Sequence, residues 1–320
     1  VPVGPCDPKL KVILFYYILF GYVKNDSYLY IILNKTNNNI MNEQIEILER
    51  AGLNWNVRSE GLKTTSGIVV PKKIALVRED TETVLGTHGD GYDPYQNHEL
   101  LELLHKIGNS TGLNFHSCGQ FKGGQRVWFQ LKSDDHNLNG DKIKGFISGF
   151  NSFDGSSSLA FGNSSLTVSC MNTWWRAYKE VNTRIRHSGS MRPKIEEILK
   201  KIDIVLEEEK KMFEEIVMLN DVQMDEAAKE LVIKKLFSLD MEERLDISEL
   251  STRKKNQIEK FNYDLGIETS QKGDNLWGLF SGITRYTTHS MKNGDNSEAK
   301  MFGRTGNLER KIFNELVEMV

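Results

Sequence analysis

Apolar and polar positions follow three successive rhythms along this chain. Up to residue 40 the apolar residues come in blocks. Val12 to Val23 is a run of twelve, Tyr28 to Leu33 is a run of six, and Asn34 to Asn39 is a tract rich in Asn. From residue 41 to 190 the rhythm is that of short strands and helices. Ile45 to Ala51 reads as a short helix ended by Gly52. Ile68 to Arg78 and Thr83 to Thr87 read as strands, joined through the polar residues Glu79 to Glu82. The stripe of Leu100, Leu101, Leu103, Leu104 and Ile107 predicts a helix that begins after Pro94 and stops at Gly108.

Five short strands are predicted next: Leu113 to Phe121, Arg126 to Lys132, Ile143 to Asn151, Ser157 to Phe161 and Leu166 to Cys170. Turn residues separate them at Gly123-Gly124, Asp154-Gly155 and Gly162-Asn163. Connections this short allow only antiparallel neighbours. Asn172 or Thr173 is then placed to cap a helix reaching Lys179.

After residue 190 the period becomes helical throughout. Pro193 opens a helix with apolar residues at Ile195, Leu199, Ile202, Leu206, Phe213 and Ile216, the spacing of a long packed helix. Met224 to Phe237, Ser251 to Asn262, Asn275 to His289 and Leu308 to Met319 follow, with Asp274 and Asn307 as expected caps. The expected class is α+β. An antiparallel β-meander with an inserted helix occupies residues 41–190, and a helical half over 191–320 packs on it.

Composition narrows this picture little. The 320 residues are 39% hydrophobic and 27% charged, with a net charge of -3. That balance fits a globular protein and gives no overall pull toward nucleic acid or an anionic membrane. Cys6, Cys118 and Cys170 are too far apart for a disulfide framework or a metal site, and they read as small apolar residues in a reducing cytoplasm. The block at Val12 is shorter than the ~20 residues that span a bilayer. Lys24, Asn25 and Asp26 stand where a signal peptide would have its small-residue cleavage site. Residues 1–40 are therefore read as an extension upstream of a native start at Met41. The alternative is a membrane-peripheral or partner-binding segment.

Charge is unevenly placed, and this changes the reading. Residues 113–194 carry eleven Lys or Arg against five Asp or Glu, whereas residues 195–250 carry eight against seventeen. A local positive surface is what phosphate binding needs. Lys122, Arg126, Lys142, Lys144, Arg184 and Arg186 are the candidate phosphate contacts, and Trp128 is a candidate stacking platform for a base. In an extended Arg184-Ile185-Arg186-His187 the two arginines share a face and His187 takes the other. The plainer reading makes the tryptophans core and the Lys and Arg residues solvated strand edges.

Known catalytic patterns are missing. There is no His-Glu-x-x-His, no Gly-x-Ser-x-Gly and no Gly-Lys-Ser/Thr loop. Gly86 to Gly91 reads as a loop, and Asp134-Asp135-His136 as a polar turn. His98 and His105 stand seven apart, whereas a zinc pair on a helix prefers four. No metal and no cofactor are expected. Asp154 is first a turn residue, and an enzyme using Asp154, His187 and Cys170 is the remaining catalytic alternative.

Five motifs taken together carry a family resemblance. They are Tyr92-x-Pro94-x-Gln96-Asn97, Gly123-Gly124-x-x-Val127-Trp128, Asn151-x-x-Asp154-Gly155-Ser156, Cys170-x-Asn172-Thr173 and Arg184-Ile185-Arg186-His187-Ser188. With Trp277-Gly278, Phe302-Gly303 and Gly306 they resemble the phage- and plasmid-like proteins that carry domain of unknown function 932, from about Gly52 to the C-terminus. The chain departs from that family at Phe153, where His is common, and at Thr167, where Arg is common. The resemblance implies an accessory protein of a mobile element with no established enzyme activity, concerned with recombination or replication, or with evading host defence.

The resulting expectation is a non-enzymatic, cytoplasmic protein that binds single-stranded nucleic acid, in the manner of a strand-annealing factor. One alternative is a protein-interaction module that meets a host or phage protein through the acidic segment Ile195 to Ile216. Membrane association is not expected, and a homo-oligomer is a further partner class.

Overall fold

The computed structural model of the chain describes residues 43–138, 141–167, 173–176, 184–199, 202–291, 300 and 303–320. The apolar blocks before Met41 lie outside the described residues, as do Cys170 and Asn172. Helix α1 (residues 43–50) belongs to a unit with the residues before it, and Ala51 to Val320 form a second compact unit.

The second unit opens with a three-stranded antiparallel sheet of β1 (Val57–Lys63), β2 (Val69–Arg78) and β3 (Thr83–Gly89), paired in that order. Strand β1 has no counterpart in the sequence reading, because only Val57 among its residues is buried. Helix α2 (Asn97–Thr111) follows. Its head is tied to β1, since the Gln96 amide accepts from Val57 N and donates to Val57 O, both at 2.9 Å. The helix does not stop at Gly108 as expected; it ends at Gly112, in the left-handed conformation. Gly108 is required for contact instead, because a Cβ there would stand 2.6 Å from the Leu113 carbonyl.

The second sheet has the order β4 (Asn114–Phe121), β5 (Arg126–Leu138), β6 (Asp141–Ser152), β7 (Leu159–Thr167) and β8 (Thr173–Arg176), all antiparallel. The two-residue strand β9 (Arg184–Ile185) pairs with the start of β7. The meander is thus present, with two corrections. Gly162-Asn163 is not a turn. It lies inside β7, where pairing with β6 on one side and β8 on the other outweighs local turn preference. Thr173 does not cap a helix either; residues 173–176 extend along β7 as a strand.

The helical half comprises α3 (Met191–Leu199), α4 (Ile202–Asp221), α5 (Glu226–Phe237), α6 (Thr252–Lys272), α7 (Leu276–Arg285) and α8 (Arg304–Glu318). Asp225, Ser251 and Asn275 cap α5, α6 and α7 by accepting a backbone N–H. The caps expected at Asp274 and Asn307 are therefore replaced by Asn275 and Gly303, and Asn307 sits within the first turn of α8. Leu138 of β5 and Ile143 of β6 join Met212, Ile216, Phe261, Phe280 and Phe313 in one apolar cluster. Helix α8 is further fastened by a buried ion pair of Lys300 with Glu309, 3.1 Å, and by Thr287 donating to the same carboxylate. No described helix is long and apolar enough to cross a membrane.

Candidate anion-binding site

Three parts of the second unit meet around a cavity of about 540 Å³. The first part is the end of β3 and the loop after it. His88, Tyr92 and His187 form a three-ring stack, with centroids 4.0 Å apart for His88–Tyr92 and 4.8 Å for Tyr92–His187. Backbone contacts fix the stack. His88 Nε2 donates to Phe153 O at 2.8 Å, and the Tyr92 hydroxyl donates to Ser152 O at 2.7 Å. The two segments approach so closely here that a Cβ at Gly86 would lie 2.4 Å from the Phe153 carbonyl. Burial, helped by the nearby Asp154 charge, pushes the Tyr92 hydroxyl well above its usual range, so it stays protonated.

The second part is the β6–β7 turn, which supplies Gly155 to Ser158. Ser152 Oγ donates to Ser157 O at 2.7 Å and accepts from Ser157 N at 3.0 Å, closing the turn on itself. Asp154 accepts from Ser156 N at 2.9 Å, from the Ser156 hydroxyl, and from Arg126 Nε at 3.1 Å. Burial alone would raise this carboxyl. The hydrogen bonds from Ser156 and the Arg126 cation outweigh that and hold it below the usual range. Asp154 is thus engaged as a turn residue by three hydrogen bonds.

The third part is contributed from far along the chain. Arg184 and Arg186 come from β9 and the residue after it, and Asn307 and Arg310 come from the first two turns of α8. Arg310 Nη2 donates to the side-chain Oδ1 of Asn307. Burial, and then the charge of Arg184, lower the pKa of the Arg310 guanidinium. Two cations are therefore held near each other, and no Asp or Glu is among the described residues that line the cavity. Neither Arg184 nor Arg186 forms an ion pair among the described residues.

His187 departs from the strand expectation. Burial does alternate from Arg184 to His187, but β9 ends at Ile185, and Arg184, Arg186 and His187 all line the same cavity. His187 is 8% exposed. Burial depresses its pKa to about 4; the Asp93 backbone opposes this and the nearby His88 adds to it.

The other sequence-predicted residues fall elsewhere. Arg126 backs the cavity wall through Asp154. Lys122 is exposed in the turn between β4 and β5. Trp128 pairs with Gly119 across the β4–β5 hairpin, and its ring occupies the space that a Cβ at Gly119 would need. Lys142 binds Asp135 at 2.9 Å, and Lys144 is paired with Asp135 across the β5–β6 ladder. These two lysines stand at the far end of β6 from Ser152, about 27 Å from Lys144 at strand spacing. Cys118 is partly buried, which pushes its thiol up to about 11. The acidic segment from Ile195 spends Ile195, Met212 and Ile216 on the interior of the fold.

A family model described as domain of unknown function (DUF932) matches residues 84–311. The chain belongs to the DUF932 family. The matched span takes in every residue that lines the cavity, from His88 to Arg310. No curated protein and no solved structure matches the chain. Within this DUF932 chain, His88, Tyr92, Asn307 and Arg310 are the site residues that sequence reasoning missed. Tyr92 stood inside one of the family motifs, whereas Arg310 carried no local signal.

Proposed function

We propose that this DUF932 protein is a non-enzymatic binder of single-stranded nucleic acid, serving recombination or replication of a mobile element. The observation that carries this reading is the convergence of Arg184, Arg186 and Arg310 on a cavity with no acidic side chain among its described lining residues. Guanidinium groups bind phosphate through paired N–H donors, and like charges held together are relieved by an anion between them. A single strand can feed one nucleotide unit into a space of about 540 Å³, whereas a base pair stays in its stack. Ser156 and Ser157 also line the cavity, with their hydroxyl protons donated to Asp154 and to Ser158 O.

The test is fluorescence anisotropy of the purified full chain with labelled single- and double-stranded oligonucleotides at low salt. Binding of the single strand, weakened when Arg184 and Arg186 are both changed to Gln, is the expected result. No binding of either oligonucleotide at low salt overturns the reading.

A further inference from the structure

At the outer end of the first sheet, β1 and β2 run on as a ribbon that the cavity does not use. From Ser59 to Lys73 every residue is exposed except Leu62 and Val70, which are partly buried. The pairing of β2 with β3 starts only at Lys73, so the ribbon beyond it is two-stranded. Such a ribbon is marginally stable by itself. Its tip is nevertheless closed by defined bonds. Thr64 N donates to Ile68 O at 2.8 Å, Gly67 N donates to Thr64 O at 2.9 Å, and Ile68 N donates to Thr64 Oγ1 at 3.1 Å. The closed turn holds Ile68 and Val69 out in water, 67% and 62% exposed. Lys63, Lys72 and Lys73 flank them and form no ion pair among the described residues, whereas Arg58 at the base of the ribbon binds Glu60 and Glu82.

Lysines, a proline and a bulge guard strand edges against unwanted pairing. Pro71, Lys72 in the left-handed region at φ 57° and the register shift between Gly61 and Lys63 serve that purpose here. Edge protection does not account for two aliphatic side chains fixed at the tip. Cations around an apolar knob fit a polyanion that also offers an apolar face. Aliphatic wedges enter between the base steps of a duplex at the cost of unstacking them. Where a duplex opens into a single strand, the last base pair already has a bare face, and that cost is absent. The position of the ribbon favours the same ligand. Ile74 of β2 pairs with Gly61 on one side and, on the other, with His88 of the cavity wall. Two residues of β1, about 7 Å at strand spacing, separate that rung from the Lys63–Val69 pair.

We infer that the ribbon is a second nucleic-acid contact, which seats the end of a duplex where it opens into the single strand held by the arginine cavity. Ile68 and Val69 cover the face of the last base pair, and the three lysines hold the flanking phosphates. This rests on the proposed nucleic-acid reading and narrows its ligand from any single strand to one emerging from a duplex.

Fluorescence anisotropy of the full chain with a single strand, a blunt duplex and a duplex carrying that single strand as a tail tests it. The tailed duplex is expected to bind about tenfold tighter than the single strand, the worth of one weak stacking contact. Changing Ile68 and Val69 together to Ser is expected to bring that ratio near unity and to leave single-strand affinity as it was. Ile68→Leu, which keeps an apolar tip, is expected to retain the preference. Changing the three lysines to Gln is expected to make the salt slope of the tailed duplex shallower by up to about 2.7, at about 0.9 per phosphate. A tailed duplex that binds no tighter than the single strand or the blunt duplex overturns the inference and leaves the cavity reading standing. So does a Ser variant that keeps the preference. Retention on anionic phospholipid vesicles, or a dimer, that the Ser variant abolishes assigns the tip to a membrane or a second copy and also overturns it. Failure of every oligonucleotide to bind removes both readings.

Discussion

Changing Arg184 and Arg186 together to Gln is expected to flatten the salt dependence of single-strand binding by a calculable amount. Each phosphate neutralised on a single strand contributes about −0.7 to the slope of log affinity against log salt. Three arginines lining the cavity give a slope of about −2, so affinity falls about 18-fold between 50 and 200 mM salt. With Arg310 alone left, the slope becomes about −0.7 and the same change in salt costs only about 2.6-fold. Both substituted side chains are exposed and form no ion pair among the described residues. Folding stability should therefore move by no more than about 0.5 kcal/mol, which a urea titration checks. Anisotropy titrations at four or five salt concentrations measure the slopes. A wild-type slope near zero, or a double variant with the wild-type slope, refutes the reasoning. The second outcome would move the phosphate contacts to Lys122, Lys142 or Lys144.

Three further outcomes follow from the packing and titration of the site. Gly86→Ala forces the new Cβ against the Phe153 carbonyl, now 2.4 Å from that position, and should cost about 1–3 kcal/mol in chemical denaturation. Phe313→Ala removes a fully buried ring that meets Phe280 edge-on at 5.0 Å, and should destabilise the fold by about 3–5 kcal/mol in the same assay. His187 is the pH probe. In the unfolded chain it takes up a proton near pH 6.5, whereas in the fold it resists protonation until about pH 4. The unfolded state thus holds more protons in that window, so stability falls as pH drops through it, by up to about 3 kcal/mol from this group. His187→Phe should lose that part of the pH dependence, and an unchanged difference between pH 7 and pH 4 would contradict the burial argument.

Much of the fold could be read from local pattern. The leucines of α2 and the turn residues at Gly123 and Asp154 each act within a few neighbours, and the sheet obeys them. Strand β1 was invisible because one buried residue in seven produces no alternation. The break expected at Gly162 failed because β7 is held by ladders on both sides, a non-local stabilisation that no short window contains. The site divides in the same way. Arg184 and Arg186 were found because they sit together in sequence and in a locally basic stretch. Arg310 was missed because it becomes a neighbour of Arg184 only through the packing of α8 on Lys300, Phe280 and their surroundings. The reading that placed His187 away from the arginines assumed a strand longer than the two residues of β9.

The distance along the chain between the walls of the cavity also sets when it can exist. His88, Ser156 and Arg186 leave the ribosome well before Arg310. At about 5–20 residues per second, the interval between Arg186 and Arg310 lasts roughly 6–25 s. During that time the nascent protein carries an open, incomplete cradle with two of its three cations. Contacts between residues so far apart also form late in folding, since loop closure must precede them. On the proposed nucleic-acid reading, full grip on a strand would have to wait for the docking of α8.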